Sequence, residues 1–228
     1  MKKKLLITLL LLTGCTTTNY VNNDIHLSIP NILETDIVQG KDNKYYLNHD
    51  LNDNEDIKGS IFMDYRVDLN SKKVLIYGHS GDNKDLPFLV LNKYSYKDFF
   101  YKNNTIYIYT YNKTYIYKVF SSYIETKDFD YMNKSNYNGL TYLEHINKLK
   151  DKSLFKTNIE LTEKDHILIL QTCSTNNNIK SKTKYQLVIA KLIKESILNW
   201  TPNSSLLKKE NSRLFSWVFW FNSIGVVK

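Results

Sequence analysis

Two cysteines, three prolines and seven glycines in 228 residues leave several protein classes without their raw material. Two thiols build neither a disulfide scaffold nor a four-cysteine zinc site. So little Pro and Gly excludes collagen-like and proline-rich linker chains. Arginine is scarce too: Arg66 and Arg213 are the only two among 31 basic residues. With 42% hydrophobic and 24% charged residues, neither a largely disordered chain nor a polytopic membrane protein fits. What is abundant is aromatic: 18 Tyr and 10 Phe, many at alternate positions, which points to strands. The length suits one domain with a short accessory segment.

The chain opens with Lys2-Lys3-Lys4, then an apolar run from Leu5 to Leu12. A basic stretch before a short apolar one reads as a secretory signal over residues 1–14, well short of the ~18 residues of a spanning helix. Its end, Leu12-Thr13-Gly14-Cys15, resembles the lipobox of bacterial lipoproteins, which implies lipid attachment at Cys15. An ordinary signal peptide, or an uncleaved anchor that contains Cys, is the alternative. The expected location is the extracytoplasmic face of a bacterial membrane. Residues 15–30 read as a polar tether, 31–200 as the folded domain and 201–228 as a tail of unknown role. The tail's aromatic run, Leu214 to Phe221, suits an interfacial contact or an added strand. Losing the signal lowers the net charge from +8 to +5. The remaining excess is scattered lysine, which favours solubility and an anionic envelope over nucleic acid.

Within the domain, residues 31–66 read as hairpins and loops. Ile61–Met63 and Val74–Tyr77 read as buried strands, and Tyr94–Tyr101 as a short helix. Ile106–Tyr109 and Thr114–Phe120, joined by Asn112-Lys113, form a hairpin signal. Leu140, Leu143, Ile146 and Leu149 recur at helical spacing. His166–Leu170 and Leu187–Ala190 are strands flanking the polar loop Ser174–Lys184. The pattern is mainly β with helical insertions.

With Cys15 committed to lipid, Cys173 is the single thiol of the mature chain. It follows a strand and precedes a loop, where a nucleophile is both fixed and accessible; a buried structural cysteine is the other reading. Of five histidines, His26 falls in the tether, His49 in a polar turn and His145 on a Lys-rich helix, each read as solvated rather than catalytic, and His166 stands ahead of its strand. His79 differs, standing between Gly78 and Gly81 at a strand end. Imidazole there suits the activation of a thiol. No cofactor and no metal are expected.

Tyr77-Gly78-His79 after one strand, and Leu170-Gln171-Thr172-Cys173 ending another, resemble the sortase family. Gly59–Arg66 and Tyr45-Tyr46-Leu47-Asn48-His49 resemble class B segments upstream of the histidine, and the helical insertion before the cysteine strand fits that class. The resemblance spans roughly residues 35–194. It implies a closed eight-stranded sortase-type β-barrel and a cysteine transpeptidase. Cys173 would attack the Thr carbonyl of a sorting signal, and His79 would serve as acid and base. Thr172 would contact substrate, and a cell-wall or pilin amine would accept the acyl group. There is one departure. The family's arginine on the strand after the cysteine aligns with Tyr185, and Lys184 is a weaker substitute. A non-catalytic relative, a lipoprotein that binds peptides or partner proteins, is therefore the alternative.

Overall fold

Alternation of buried and half-exposed side chains organises eight strands in a computed structural model that describes residues 25–81 and 85–197. They are β1 (Ile25–Ile29), β2 (Leu33–Gln39), β3 (Phe62–Met63), β4 (Lys73–Tyr77), β5 (Thr105–Tyr109), β6 (Lys113–Glu125), β7 (Ile167–Cys173) and β8 (Tyr185–Ile197). Two helices, α1 (Lys97–Lys102) and α2 (Tyr142–Asp151), lie between them. The strands close in the order β1-β2-β3-β4-β7-β8-β6-β5, with β5 returning to β1 antiparallel. Only β2–β3 and β4–β7 run parallel. This is the closed eight-stranded barrel that the resemblance implied, and closure removes the open sheet edges.

The hairpin expected in the middle of the chain is β5–β6. Ile106 and Ile108 point inward and are fully buried, while Thr105, Tyr107 and Tyr109 are half-exposed, the period-two pattern of a strand with one covered face. Its turn occupies 110–112, so Lys113 already belongs to β6. Register shifts at Ile116/Tyr117 and Val119/Ser121 interrupt the long β6–β8 ladder; such bulges bend a strand around a barrel.

β4 and β7 follow a different rule. Lys73 to Tyr77 and Ile167 to Leu170 are buried without alternation, because both faces are covered. The barrel interior takes one face, and the β6–β7 connection with α2 takes the other. Tyr142 of α2 donates its hydroxyl to the carbonyls of Lys72 and Asp165 (2.9 and 2.8 Å). Ser121 of β6 donates to the Leu149 carbonyl (2.7 Å). Thr141 and Glu144 form a reciprocal capping box at the start of α2, which satisfies donors the first turn leaves free.

Three expectations need correction. β1 (Ile25–Ile29) lies inside the span 15–30 expected to be a tether, so these residues belong to the barrel and not to a tether. His26 is thus a strand residue, bonded to Asp36 and Glu34 (2.7 and 2.9 Å). His145, expected in solvent, is fully buried against Lys73 (2.8 Å). Cys15 and the tail 201–228 lie outside the described residues.

Candidate active site

Parallel pairing of β4 with β7 sets Tyr77 opposite Gln171. The Gly78 N–H then donates to the Gln171 carbonyl (3.2 Å), and the Thr172 hydroxyl donates to the Gly78 carbonyl (2.8 Å). These two bonds carry the register past the end of β4, so His79 and Cys173 sit at neighbouring strand ends. Cys173 is exposed and unpaired, and His79 is half-buried. Gly78 has negative φ, so backbone freedom is not what selects glycine here. Space is: a Cβ would lie 2.6 Å from the Phe88 ring.

His79 is oriented by the chain itself. Its Nε2 lies 2.6 Å from the Leu47 carbonyl oxygen. A carbonyl only accepts, so Nε2 carries the proton and the neutral ring keeps its lone pair on Nδ1. Leu47 is held in turn by a tight turn. Gly59 has φ of +58°, and a Cβ there would lie 2.5 Å from the Tyr46 carbonyl oxygen. Although its side chain reaches the surface, partial removal from water pushes the Cys173 thiol up from its ordinary value, since desolvation disfavours the thiolate.

Tyr185 is the antiparallel partner of Cys173 across β7–β8. Its ring meets Phe129 edge-on, with centroids 5.8 Å apart. Among the described residues its hydroxyl makes no hydrogen bond. The two backbone amides that follow the cysteine are both engaged. The Ser174 N–H donates to the Lys184 carbonyl (2.9 Å), and the Thr175 N–H donates to Asn92 Oδ1 (2.9 Å).

Two sequence-derived assignments change. Thr172, expected to touch substrate, is 1% exposed and its hydroxyl is spent on Gly78; it ties the two strands together. Lys184, the weaker stand-in for arginine, turns its ammonium to the carbonyls of Asn176 and Ile179 (2.5 and 3.2 Å), bracing its own loop.

Arg66 does not reach the cysteine either. It forks onto Asp64 (2.9 and 2.6 Å), which also accepts from the Tyr77 hydroxyl (2.7 Å) and the Asn43 amide (2.9 Å). Burial pushes the Asp64 carboxyl up, but these donors outweigh it and hold the group at about 2. The node fixes β4 two residues before His79.

Two contributors escaped the sequence reading. The Leu47 carbonyl is backbone and carries no residue signature. Asn92 is one amide at the end of the apolar run Phe88–Leu91, and nothing in the pattern marks it. A pocket of about 150 Å³ opens beside His79, lined among others by Thr35, Asp50 and Pro87.

A family model described as Sortase domain matches residues 27–193. Sortase B of Listeria monocytogenes is 32% identical over 144 residues, which cover 62% of this chain and 58% of that protein. Sortase B of Staphylococcus aureus is 35% identical over 163 residues, 70% and 65% of the two. The chain thus spans less than two thirds of the length of either relative. The crystal structure of Clostridium perfringens sortase B superposes with a TM-score of 0.68 at 29% identity, over 75% of this chain and 94% of that one. The S. aureus sortase B–substrate complex gives 0.65 at 32%, over 75% and 79%. By family model, sequence and barrel alike, the chain belongs to the sortase family, on its class B branch.

Proposed function

We propose that this chain is a working transpeptidase that cleaves a C-terminal sorting signal after Thr and transfers the acyl group to a cell-wall or pilin amine. One observation carries the reading: the single exposed thiol among the described residues ends the strand paired to the one that leads into His79. Nδ1 of His79 takes the Cys173 thiol proton, giving an imidazolium, and the thiolate adds to the Thr carbonyl carbon. The C–N bond then breaks, and His79 gives its proton to the departing amine. An acceptor amine next attacks the thioester, hands a proton to His79, and expels the thiolate. A sortase B has been solved in complex with triglycine, and S. aureus sortase B with substrate; both agree with this choice of partners.

Tyr185 supplies the donor for the oxyanion. With the amides of Ser174 and Thr175 engaged and Lys184 turned away, the Tyr185 hydroxyl, which makes no hydrogen bond among the described residues, is a donor carried by the residue paired with the cysteine. Incubation with a library of Thr-containing sorting pentapeptides, followed by mass spectrometry, tests the reaction. A thioacyl adduct on Cys173 is expected; no adduct with any peptide while Cys173 still alkylates sinks it.

Tyrosine in place of the family's arginine favours a second reading, a peptide-capturing relative that does no chemistry. In that case Cys173→Ala leaves the cellular phenotype intact, whereas the catalytic reading requires its loss. Anchoring through lipid on Cys15, at the extracytoplasmic face, belongs to the same proposal. Metabolic labelling with a fatty acid that persists in Cys15→Ser rejects it.

A further inference from the structure

The segment Pro87–Ser95 is a nine-residue 3-10 helix, long for that geometry. Phe88, Leu91 and Tyr94 recur every third residue and are fully buried, as three residues per turn requires. This rigid peg brings one polar side chain, Asn92, between the two strand ends of the site. Its amide nitrogen donates to Ser80 Oγ (3.0 Å), next to His79, and lies 3.3 Å from the carbonyls of Cys173 and Leu89. Its oxygen accepts the Thr175 N–H (2.9 Å). Because a backbone N–H only donates, the oxygen must face Thr175 and the nitrogen must face Ser80 and Cys173. One amide therefore grips the chain just past His79 and on both sides of Ser174.

β4 and β7 are paired only as far as Gly78 and Thr172. Beyond that point the β4 chain has no strand partner among the described residues, whereas β7 stays paired to β8 through Cys173 and Tyr185; residues 82–84 are not described. No ladder bond fixes His79 relative to Cys173, so Asn92 replaces the missing ladder. We propose that Asn92 is a positioning residue which sets the thiol–imidazole geometry of the transpeptidase; this rests on the catalytic reading above. It touches neither reacting atom. It holds the Cys173 carbonyl, and through it the direction of the Cα–Cβ bond, while holding the residue after His79.

Asn92→Asp keeps size and the acceptor for Thr175 but places a carboxylate against Ser80 and the Cys173 carbonyl. Asn92→Ala removes every contact. Misplacement by about 1 Å costs on the order of 100-fold in rate. Both variants are therefore expected to lower kcat on a fluorogenic Thr-containing pentapeptide by roughly 10- to 100-fold, with KM within about threefold. A second readout needs no substrate. The pH profile of Cys173 alkylation by iodoacetamide should shift in both variants toward that of His79→Ala, since the thiol loses its coupling to the imidazole.

Unchanged kcat and an unchanged alkylation profile overturn the proposal. So does a fall in melting temperature with the wild-type profile retained, which assigns Asn92 to structure alone. If Asn92→Ala fails to fold, the isosteric Asn92→Asp decides. Full activity in Cys173→Ala and His79→Ala overturns the catalytic reading itself, and is thereby separate from a failure confined to Asn92.

Discussion

A phenol donates one hydrogen bond where a guanidinium offers a planar fork, so the proposed role of Tyr185 as oxyanion donor asks one O–H to do the work of that fork. Loss of one oxyanion donor costs on the order of 100- to 1,000-fold in kcat. Tyr185→Phe, which keeps the ring against Phe129, is expected to fall within that range with little change in KM, as measured by steady-state kinetics on a cleaved pentapeptide. Tyr185→Arg should equal or exceed the parent. Undiminished turnover in the Phe variant would falsify the assignment. The cysteine carries its own expectation. Burial raises the Cys173 thiol, so the thiolate is the minority form at neutral pH. In His79→Ala, where no imidazolium assists, alkylation by iodoacetamide should climb with a midpoint above the ~8.5 of a free cysteine. A midpoint below that value contradicts the burial argument.

Between β4 and the 3-10 segment the contact is backbone against ring, and it allows no side chain. Gly78→Ala puts a methyl 2.6 and 2.8 Å from two atoms of Phe88, a ring that is fully buried and has nowhere to swing. Overpacking of this kind costs about 1–3 kcal/mol. The displaced segment is the one that carries Asn92, so activity should fall by more than the stability change alone explains. Gly81→Ala is the matched control, since among the described residues its added carbon meets nothing nearer than Leu86 at 4.0 Å. Thermal melts and kinetics on the pair test this; equal behaviour of the two variants would refute it. The same contact shows what was legible beforehand. The β5–β6 hairpin, β7 and α2 announce themselves through alternation, apolar runs and helical period, and the cysteine and histidine through their motifs. β1 did not, because His26 and Ser28 interrupt its apolar residues in an Asn-rich stretch. The reason for Gly78, the carbonyl that holds His79 and the reach of Asn92 are tertiary facts. No local pattern encodes which ring or backbone atom will lie opposite.

Closing the barrel buries charge as well as apolar surface. The two strands of the site meet although Gly78 and Thr172 are 94 residues apart, and the β6–β7 connection must lie over β4 to cover it. Lys73 of β4 is 2% exposed. Its ammonium donates to the Asn133 carbonyl and to His145 Nε2 (both 2.8 Å), tying α2 to the strand that leads to His79. Burial lowers Lys73 to about 7 and His145 to about 3. Asp64 is the acid counterpart. Held at about 2 against an ordinary 3.8, it contributes roughly 2 kcal/mol that is present above pH 4 and lost as pH falls through 2. Lys73 works the other way. The folded form is largely deprotonated above about 7, while the unfolded chain keeps its proton to about 10.5. The unfolded state therefore binds more protons between those values, and stability must rise with pH. The one-proton limit of that slope is about 1.4 kcal/mol per pH unit. Lys73→Met removes it. Because the variant leaves Asn133 and His145 without their donor, its absolute stability is no guide; the slope is. Urea unfolding at pH 7.0 to 9.5 should show the wild type gaining on Lys73→Met as pH rises. Parallel curves for the two proteins would mean that Lys73 stays charged in the fold, and that its contacts with His145 and Asn133 offset the cost of burying it.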